Sequence, residues 1–379
     1  MNIPFNIPFV SGQELFYLKT ALQSGHFSSE GLYIDRCKEW LGQKYSNSHL
    51  FLTTSCTHAL EMASLLIDIK FGEEVIIPSW THVSTANAFA MRGAKIVFAD
   101  IDAETMTVDV KDVENKITKK TKAVVAVHYG GYYADVVQLK KICEQNNVYL
   151  IEDAAHSIGA GVDGFMQGCV GHLGCISFHS SKNIHCGEGG LLLVNDKKLQ
   201  KSAEIVFDKG TDRYLFLQNK VSNYQWRSIG SSFSMSNITA SVLLAQLQEV
   251  DNVNNRRREL WDYYFEKLSN INSFEKCFSL PVFPKNFDEF NAHIFFIKAT
   301  DSDVLKEAKR ILINNGIQVA SHYFPLHESS FGSKYSGKCP ITSNESKILI
   351  RLPMFYSITY NQINFIANIF EKAIGKLIS

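Results

Sequence analysis

The fold is decided by residues 148–157, which read VYLIEDAAHS. An apolar run ends there on acidic residues, as expected at the carboxyl end of a strand that is buried on both faces. A second stretch, residues 177–183 (SFHSSKN), follows another short apolar run and precedes the glycine-rich residues 187–190. An acid and a lysine that follow two buried strands indicate an open sheet with a ligand site at its carboxyl edge.

Short apolar runs alternate with helical patterns on both sides of these stretches. The candidate strands are 74–78, 95–99, 123–127, 148–151, 175–178 and 191–194. Helical patterns lie between them, for instance at 57–70 and 135–146. This alternation predicts an α/β fold with a mostly parallel sheet flanked by helices.

The pattern changes after residue 250. A long amphipathic helix is predicted at 251–270, followed by a strand at 293–298 and helices at 303–315 and 363–378. We therefore expect a large domain over residues 1–250, with the N-terminal segment included. Residues 251–379 are expected to form a smaller α+β domain.

Composition excludes several classes of protein. Lys and Arg total 38, as do Asp and Glu, so no net charge favours nucleic acid or an anionic membrane as partner. No apolar run has the length of a membrane span, and the first residues lack the pattern of a signal peptide. The eight cysteines are too scattered for a disulfide framework, so we expect reduced thiols in a cytoplasmic protein.

Lys182 and Asp153 together indicate a pyridoxal 5'-phosphate (PLP) enzyme. A lysine amine can form a Schiff base with the cofactor aldehyde, and a carboxylate can keep the pyridine nitrogen protonated. The plainer interpretation of Lys182 is a surface lysine, and that of Asp153 is a helix N-cap before Ala154. Burial of Asp153 at a strand end is costly without a charged partner, so the pairing favours catalysis.

Two other motifs have weaker interpretations. Residues 53–60 (TTSCTHAL) form a polar turn that opens a helix. This turn suits a phosphate group, but on this motif alone ordinary Ser/Thr capping is the better interpretation. The spacing of Cys169, His172, Cys175 and His179 suggests zinc, although the interleaved glycines more simply describe a turn entering a strand. We expect no metal. The motifs for dinucleotide binding and for nucleotide hydrolysis are absent from the sequence.

Longer blocks resemble the DegT/DnrJ/EryC1/StrS family of PLP-dependent nucleotide-sugar aminotransferases. The blocks are 55–57, 78–89, 92–98, 226–232 and 351–356, and the resemblance extends over essentially the whole chain. It implies the type I PLP-dependent aminotransferase fold and a homodimer with shared active sites.

The resemblance also implies roles for individual residues. Lys182 is the Schiff-base lysine, and Asp153 is the partner of the pyridinium nitrogen. His156 lies beside the phenolic oxygen of the cofactor. Phosphate contacts come from Cys56, Thr57, Ser177 and, across the dimer interface, Ser232. His82 stands where an aromatic residue usually stacks on the pyridine ring. His322, Tyr323 and His327 are candidate substrate contacts, with an aromatic domain interface as the alternative.

Within the family, the blocks are most similar to transaminases that use L-glutamate and dTDP-4-keto-6-deoxy-D-glucose. That resemblance implies transfer of the amino group to C4 with a galacto product, for cell-surface polysaccharide synthesis. Relatives that remove a hydroxyl from a keto-sugar carry histidine at the position of Lys182, so this lysine favours transamination. A 3-aminotransferase, a 4-aminotransferase with gluco product, a PLP-dependent sugar dehydratase and a non-catalytic regulatory protein remain the alternatives.

Overall fold

The structure is a computed structural model that describes residues 2–377. The strands are β1 (His49–Thr53), β2 (Glu74–Pro78), β3 (Lys95–Ala99), β4 (Thr121–Val127), β5 (Tyr149–Asp153), β6 (Gly161–Val162), β7 (Phe165–Met166), β8 (Leu173–Ser177), β9 (Gly190–Val194), β10 (Phe278–Ser279), β11 (Phe295–Ala299) and β12 (Leu349–Leu352). The α-helices are α1 (Glu14–Gln23), α2 (Leu32–Lys44), α3 (Cys56–Leu66), α4 (Val83–Ala90), α5 (Val110–Lys116), α6 (Val136–Gln145), α7 (Gln200–Phe207), α8 (Arg213–Leu217), α9 (Asn237–Leu247), α10 (Val250–Ser269), α11 (Ser302–Asn314), α12 (Pro340–Ile348) and α13 (Tyr360–Leu377).

Seven strands form the main sheet, in the order β1-β9-β8-β5-β4-β2-β3. Strands β8, β5, β4, β2 and β3 pair in parallel, whereas β9 runs antiparallel to both of its neighbours. The mostly parallel α/β fold predicted from the alternating pattern is thus confirmed. The strands predicted at 74–78 and 95–99 coincide with β2 and β3.

Both faces of the sheet are buried, because helices cover each of them. Successive residues of a strand point to opposite faces. In β2, for example, Val75 and Ile77 join one apolar cluster, and Ile76 between them joins another. Such strands carry almost no polar side chains until they end.

The topology brings three strand ends to one edge of the sheet. Strand β5 ends at Asp153 and β8 ends at Ser177. Gly190, the first residue of β9, pairs with Ser177 on one side and with Thr53, the last residue of β1, on the other. The residues that follow β1, β5 and β8 therefore surround a single crevice.

A second sheet, β10-β11-β12, lies in the C-terminal part of the chain. Its apolar cluster includes Trp261 of α10 and Phe295 of β11, and it also takes in Trp80 and Tyr129 from the loops after β2 and β4. The two parts of the chain therefore share a core at the crevice. Helix α10 begins at Val250, and a domain boundary between residues 250 and 251 stays a prediction.

All eight cysteines lie among the described residues, and none is bonded to another. Within residues 2–377, no helix combines the length and the apolar character that a membrane span requires.

Candidate active site

A cavity of about 490 Å³ opens at the carboxyl edge of the main sheet. Its lining includes Phe5, Asn6, Ser55, Cys56, Thr57, His82, Thr85, Asp153, His156, Ser177, Lys182, His293, His322, Tyr323 and Arg351. Most of the residues proposed from the sequence for cofactor binding therefore lie around one space.

Lys182 lies on the loop that connects β8 to β9. The base of this loop is closed by two backbone bonds, from Phe178 N–H to the Gly189 carbonyl (2.8 Å) and from Cys186 N–H to the Phe178 carbonyl (2.9 Å). Next to Lys182, the buried Asn183 side chain donates to Asn254 Oδ1 (2.9 Å) and to the Asn291 carbonyl (2.8 Å). The lysine is thus carried by a loop that is fixed on both sides.

Burial lowers the pKa of Lys182 from 10.5 to about 8. Desolvation is the main cause, because it disfavours the charged ammonium. The nearby groups of Cys56 and Asp153 act in the opposite direction, and the Arg351 guanidinium lowers the pKa further. At pH 7 about a tenth of this amine is therefore uncharged, far more than for an ordinary lysine, and able to act as nucleophile or base.

Asp153 is only 4% exposed, and its two oxygens are held by separate donors. Thr85 Oγ1 donates to Oδ2 at 2.7 Å, and the Ala155 N–H donates to Oδ1 at 3.2 Å. A carboxylate has about four acceptor positions, so capacity for a further donor from the cavity remains. The helix N-cap interpretation is wrong, because no helix follows β5 and the bond from Ala155 lies in a turn.

The N-terminus of α3 forms a floor of the cavity beside Ser177. Ser55 is its N-cap, and Ser55 Oγ accepts the His58 N–H at 3.1 Å. Cys56 and Thr57 then present the first free backbone N–H groups of the helix, which suit an anion. Strand β9 approaches so closely that a Cβ on Gly190 would lie 2.4 Å from the Ser55 carbonyl carbon and 2.5 Å from Cys56 N.

Neutral imidazoles form another part of the lining. His156 Nδ1 accepts the Gly130 N–H at 3.1 Å, so its proton is on Nε2. Burial is the first cause of a pKa well below the ordinary value for both His156 and His293, and Lys182 is the second. At the rim, His82 Nδ1 accepts the Ser84 N–H (3.2 Å), and partial burial lowers the pKa of this imidazole too.

The sequence analysis assigned no role to several residues that line the cavity. Thr85 and His293 belong to these, and so does Arg351, which lies in β12 between the buried Ile350 and Leu352. A charged residue inside an apolar strand was the available signal for Arg351. No comparable signal marks the other two residues.

Two of the proposed site residues lie outside the cavity. His327 Nδ1 bonds to Ser79 Oγ at 2.6 Å and its Nε2 to Ser343 Oγ at 3.2 Å, so the structure places this ring in a polar link between segments. Ser232 is exposed and does not line the cavity of its own subunit. By contrast, His322 and Tyr323 do line it.

The residues of the alternative zinc site are not brought together. Cys175 is part of the core, and His172 Nδ1 accepts the Leu150 N–H at 2.9 Å. In the described part of the chain, no group of three His, Cys, Asp or Glu side chains has the arrangement to hold a metal ion.

Comparison with known proteins agrees with this arrangement. The model of the DegT/DnrJ/EryC1/StrS aminotransferase family matches residues 10–371. Two GDP-perosamine synthases, from Escherichia coli O157:H7 and Vibrio cholerae, are each 31% identical to the chain; the first alignment covers 96% of both chains and the second 97%. The aminotransferase TlmJ from Streptoalloteichus hindustanus superposes with a TM-score of 0.90 at 25% identity, with 100% of both chains covered.

A fold of this type with a lysine and an aspartate in one cavity is typical of a PLP-dependent enzyme. The chain belongs to the DegT/DnrJ/EryC1/StrS aminotransferase family. It is accordingly a PLP-dependent sugar aminotransferase, as the sequence analysis predicted.

The residues present fit PLP. An amine with a pKa of about 8, a buried carboxylate with spare acceptor capacity and a helix N-terminus surround the same cavity. These groups match, respectively, the aldehyde, the protonated ring nitrogen and the phosphate of the cofactor.

Proposed function

We propose that the chain transfers the amino group of L-glutamate to C4 of dTDP-4-keto-6-deoxy-D-glucose. The products are dTDP-4-amino-4,6-dideoxy-D-galactose and 2-oxoglutarate. The amino sugar would serve the synthesis of a bacterial cell-surface polysaccharide, and the enzyme would work in the cytoplasm. The observation that carries the transamination is the partly buried Lys182 in the same cavity as Asp153. The sugar and its galacto configuration rest on the sequence blocks given above.

Each part of the cofactor has a proposed partner in this chain. Lys182 would bond to the aldehyde carbon, and Asp153 would pair with the ring nitrogen. The backbone amides of Cys56 and Thr57, the Thr57 hydroxyl and the hydroxyl of Ser177 would hold the phosphate. His156, with its proton on Nε2, would donate to the phenolic oxygen, and His82 would stack on the ring.

When bound, PLP supplies an electron sink for the carbon that loses its proton. The chain itself moves that proton. Lys182, as a neutral amine, would take the proton from Cα of the donor and, as the ammonium so formed, would return it to C4′ of the cofactor. Its pKa of about 8 is close to neutral pH, where a base and an acid are both accessible to one group. In the second half-reaction the same amine delivers a proton to C4 of the sugar.

A GDP-linked 4-keto sugar is the second candidate acceptor. It is favoured by the two GDP-perosamine synthases, which align with nearly the whole chain at 31% identity. Both candidates require the same donor half-reaction, so they differ only in the nucleotide and in the configuration of the sugar.

We further propose a homodimer in which Ser232 contacts the phosphate held by the partner subunit. Ser232 lies on an exposed segment that also carries Trp226, 80% exposed, and Ile229, 60% exposed. Large apolar side chains at such exposure are typical of surfaces that another subunit covers. Trp226→Glu is expected to lower the molar mass in solution from dimer to monomer, measured by light scattering after size exclusion; an unchanged mass would exclude this segment from the interface.

The experiment that tests the function is spectroscopic. The purified protein, loaded with PLP, should lose its visible absorption band on addition of L-glutamate, and Lys182→Ala should never show that band. The band should return with dTDP-4-keto-6-deoxy-D-glucose, or instead with the GDP-linked 4-keto sugar that corresponds to perosamine. Mass and NMR analysis of the product then separates C4 from C3 amination, galacto from gluco configuration, and transamination from dehydration. A protein that stays colourless with PLP contradicts the proposal.

A further inference from the structure

His293 is a buried imidazole that lines the cavity, in the segment just before β11. Its Nδ1 forms a hydrogen bond with Asn183 Oδ1 at 2.9 Å. Among the residues that the structure describes, Nε2 of the same ring has no hydrogen-bond partner. Buried polar atoms are nearly always hydrogen-bonded, so a free ring nitrogen beside a cavity points to a ligand or to a group that moves.

The tautomer of His293 follows from a chain of side-chain amides. Asn254 Nδ2 donates to the Ile158 carbonyl at 3.0 Å, which fixes the orientation of that amide. Asn254 Oδ1 therefore accepts from Asn183 Nδ2 at 2.9 Å, and the same nitrogen donates to the Asn291 carbonyl at 2.8 Å. Because carbonyl oxygens can only accept, Asn183 Oδ1 is the atom that faces His293. It accepts the proton of Nδ1, so the second ring nitrogen carries a lone pair when the ring is neutral.

The ring of His293 is neutral, because burial holds its pKa well below the ordinary value. Its Nε2 is therefore a hydrogen-bond acceptor. The other imidazoles that line the cavity have no free acceptor: Nδ1 of His82, His128, His156 and His179 each accepts a backbone N–H, and Nε2 of His322 accepts from Arg351.

Lys182 is the matching donor. It lines the same cavity, and in the described part of the chain its Nζ has no hydrogen-bond partner. It also precedes Asn183, so one network of buried amides holds both the lysine loop and the imidazole. After burial, Lys182 is the strongest influence on the pKa of His293, ahead of Arg257 and Arg351.

We propose that His293 is a positioning residue whose Nε2 accepts a hydrogen bond from the Lys182 ammonium, an inference that rests on the proposed transamination. Lys182 is an ammonium between the removal of a proton from one carbon and its delivery to the next. A buried ammonium needs an acceptor during that interval. It has three N–H groups, so one bond to His293 fixes the nitrogen and leaves two groups for the delivery.

An imidazole suits this task better than the charged groups of the cavity do. Arg351 is itself a cation and repels the ammonium. A carboxylate next to the amine would raise its pKa and slow the return of the proton, and Asp153 is already bonded to Thr85 and Ala155. A neutral imidazole stabilises the ammonium less than a carboxylate does, so Lys182 keeps a pKa near neutral pH.

Three substitutions of His293 separate the acceptor from the amide network. His293→Asn keeps an amide N–H that reaches Asn183 and has no atom at the position of Nε2. His293→Gln can place its carbonyl oxygen near that position but gives up the bond to Asn183. His293→Phe fills the space of the ring with carbon, so water cannot replace Nε2. His26→Asn is the matched control, because His26 is exposed.

The measurement is the pH at which the Lys182 amine becomes reactive. PLP is mixed with the cofactor-free protein between about pH 6 and 10, and stopped-flow absorbance gives the rate at which the visible band develops. Only the uncharged amine reacts, so the midpoint of the profile reports the pKa of Lys182, about 8 in the wild type. The titrations of PLP itself are common to all variants. So are the other groups that face the amine, which are Cys56, Asp153, Arg351 and the imidazoles of His82, His156 and His322.

His293→Asn and His293→Phe are expected to lower the midpoint by about one pH unit, because the ammonium loses a hydrogen bond while the neutral amine does not. His293→Gln and His26→Asn should retain the wild-type midpoint. The direction of the change separates this role from a structural one. A cavity that merely loosens admits water, which would raise the midpoint towards 10.5, the ordinary value for lysine.

Two results would overturn the assignment. A midpoint that is unchanged in both His293→Asn and His293→Phe would show that no bond joins the ring to the lysine, and a raised midpoint in both would leave the ring a structural role alone. Wild-type protein that never develops the band would instead remove the proposed function, and this inference with it. The amino donor and the acceptor sugar take no part in the measurement, so an error in either substrate leaves its result intact.

Discussion

Replacement of Lys182 by methionine should stabilise the cofactor-free protein. The reason is that the folded state holds this amine at a pKa of about 8, against 10.5 for an ordinary lysine. Below pH 8 the lysine is protonated in both states, and folding removes the charge from water. Each pKa unit corresponds to about 1.4 kcal/mol, so the cost to the folded state is about 3 kcal/mol at pH 7.

The sign of the pH dependence follows from the direction of the shift. Between pH 8 and 10.5 the unfolded chain binds more protons at this group than the folded chain does, so the wild type gains stability as pH rises. Lys182→Met has a side chain of similar length without the charge and lacks this dependence. Its advantage should therefore be about 3 kcal/mol at pH 7 and about 1 kcal/mol at pH 9.5.

Urea denaturation of the PLP-free protein, followed by tryptophan fluorescence at one fixed protein concentration, measures this difference. Lys201→Met is the matched control, because Lys201 is an exposed residue of α7 and stays in water in both states. The unfolding free energy of the Lys201→Met variant should differ from that of the wild type by the same amount at both pH values. Equal stability of Lys182→Met and the wild type at pH 7, or a difference that does not narrow by pH 9.5, would refute the burial of this amine.

Three further substitutions probe the end of β5 and the contact between β9 and α3. Asp153→Asn should retain PLP but slow the glutamate half-reaction by about 10²- to 10³-fold in stopped-flow absorbance, because a neutral amide no longer stabilises the ring charge; an unchanged rate would remove the assigned role. Gly190→Ala should raise the dissociation constant for PLP by about tenfold or more in equilibrium dialysis, since a Cβ 2.4 Å from the Ser55 carbonyl carbon must displace the start of α3; wild-type affinity would contradict this. Glu152→Gln should lower the free energy of unfolding in urea by about 3 kcal/mol. The reason is that the fully buried carboxylate accepts four hydrogen bonds, three from backbone N–H groups at 2.5–2.8 Å and one from His128 Nε2 at 2.8 Å. A change below about 1 kcal/mol would mean that water replaces the lost hydrogen bonds.

Local pattern was sufficient to predict six of the seven strands of the main sheet and to select Asp153 and Lys182, which line the same cavity. It did not predict β1 or, in the small sheet, β12. An apolar run that ends on Asp153 has few interpretations other than a buried strand end, and the glycines after Lys182 mark a tight connection. The direction of β9 could not be read in this way. Residues 190–194 are buried on both faces whether the strand runs parallel or antiparallel, so their apolar character is the same in both cases.

Local sequence pattern could not predict the hydrogen bonds that support the site, because these bonds join distant parts of the chain. Thr85 and Asp153 are 68 positions apart, and Asn183 and His293 are 110 positions apart. In the sequence, a threonine that donates a hydrogen bond to a buried carboxylate cannot be told from any other threonine in a helix. Arg351 differs, since one charge within Leu349–Leu352 already departs from the apolar character of a buried strand.

The distribution of charge explains why the cavity has so many histidines. Among the described residues that line it, Lys182 and Arg351 are the cations, and Asp153 and Glu188 are the carboxylates. The pKa values of His156, His293 and His322 are all lowered, first of all by burial, so these rings stay uncharged around neutral pH. As neutral groups with fixed tautomers, they offer directed donors and acceptors without competing for the phosphate of the cofactor or the carboxylate of the donor. A protonated imidazole would instead repel both cations and lower the affinity of Lys182 for its own proton, so the neutrality of these rings favours the proton transfer proposed for the lysine.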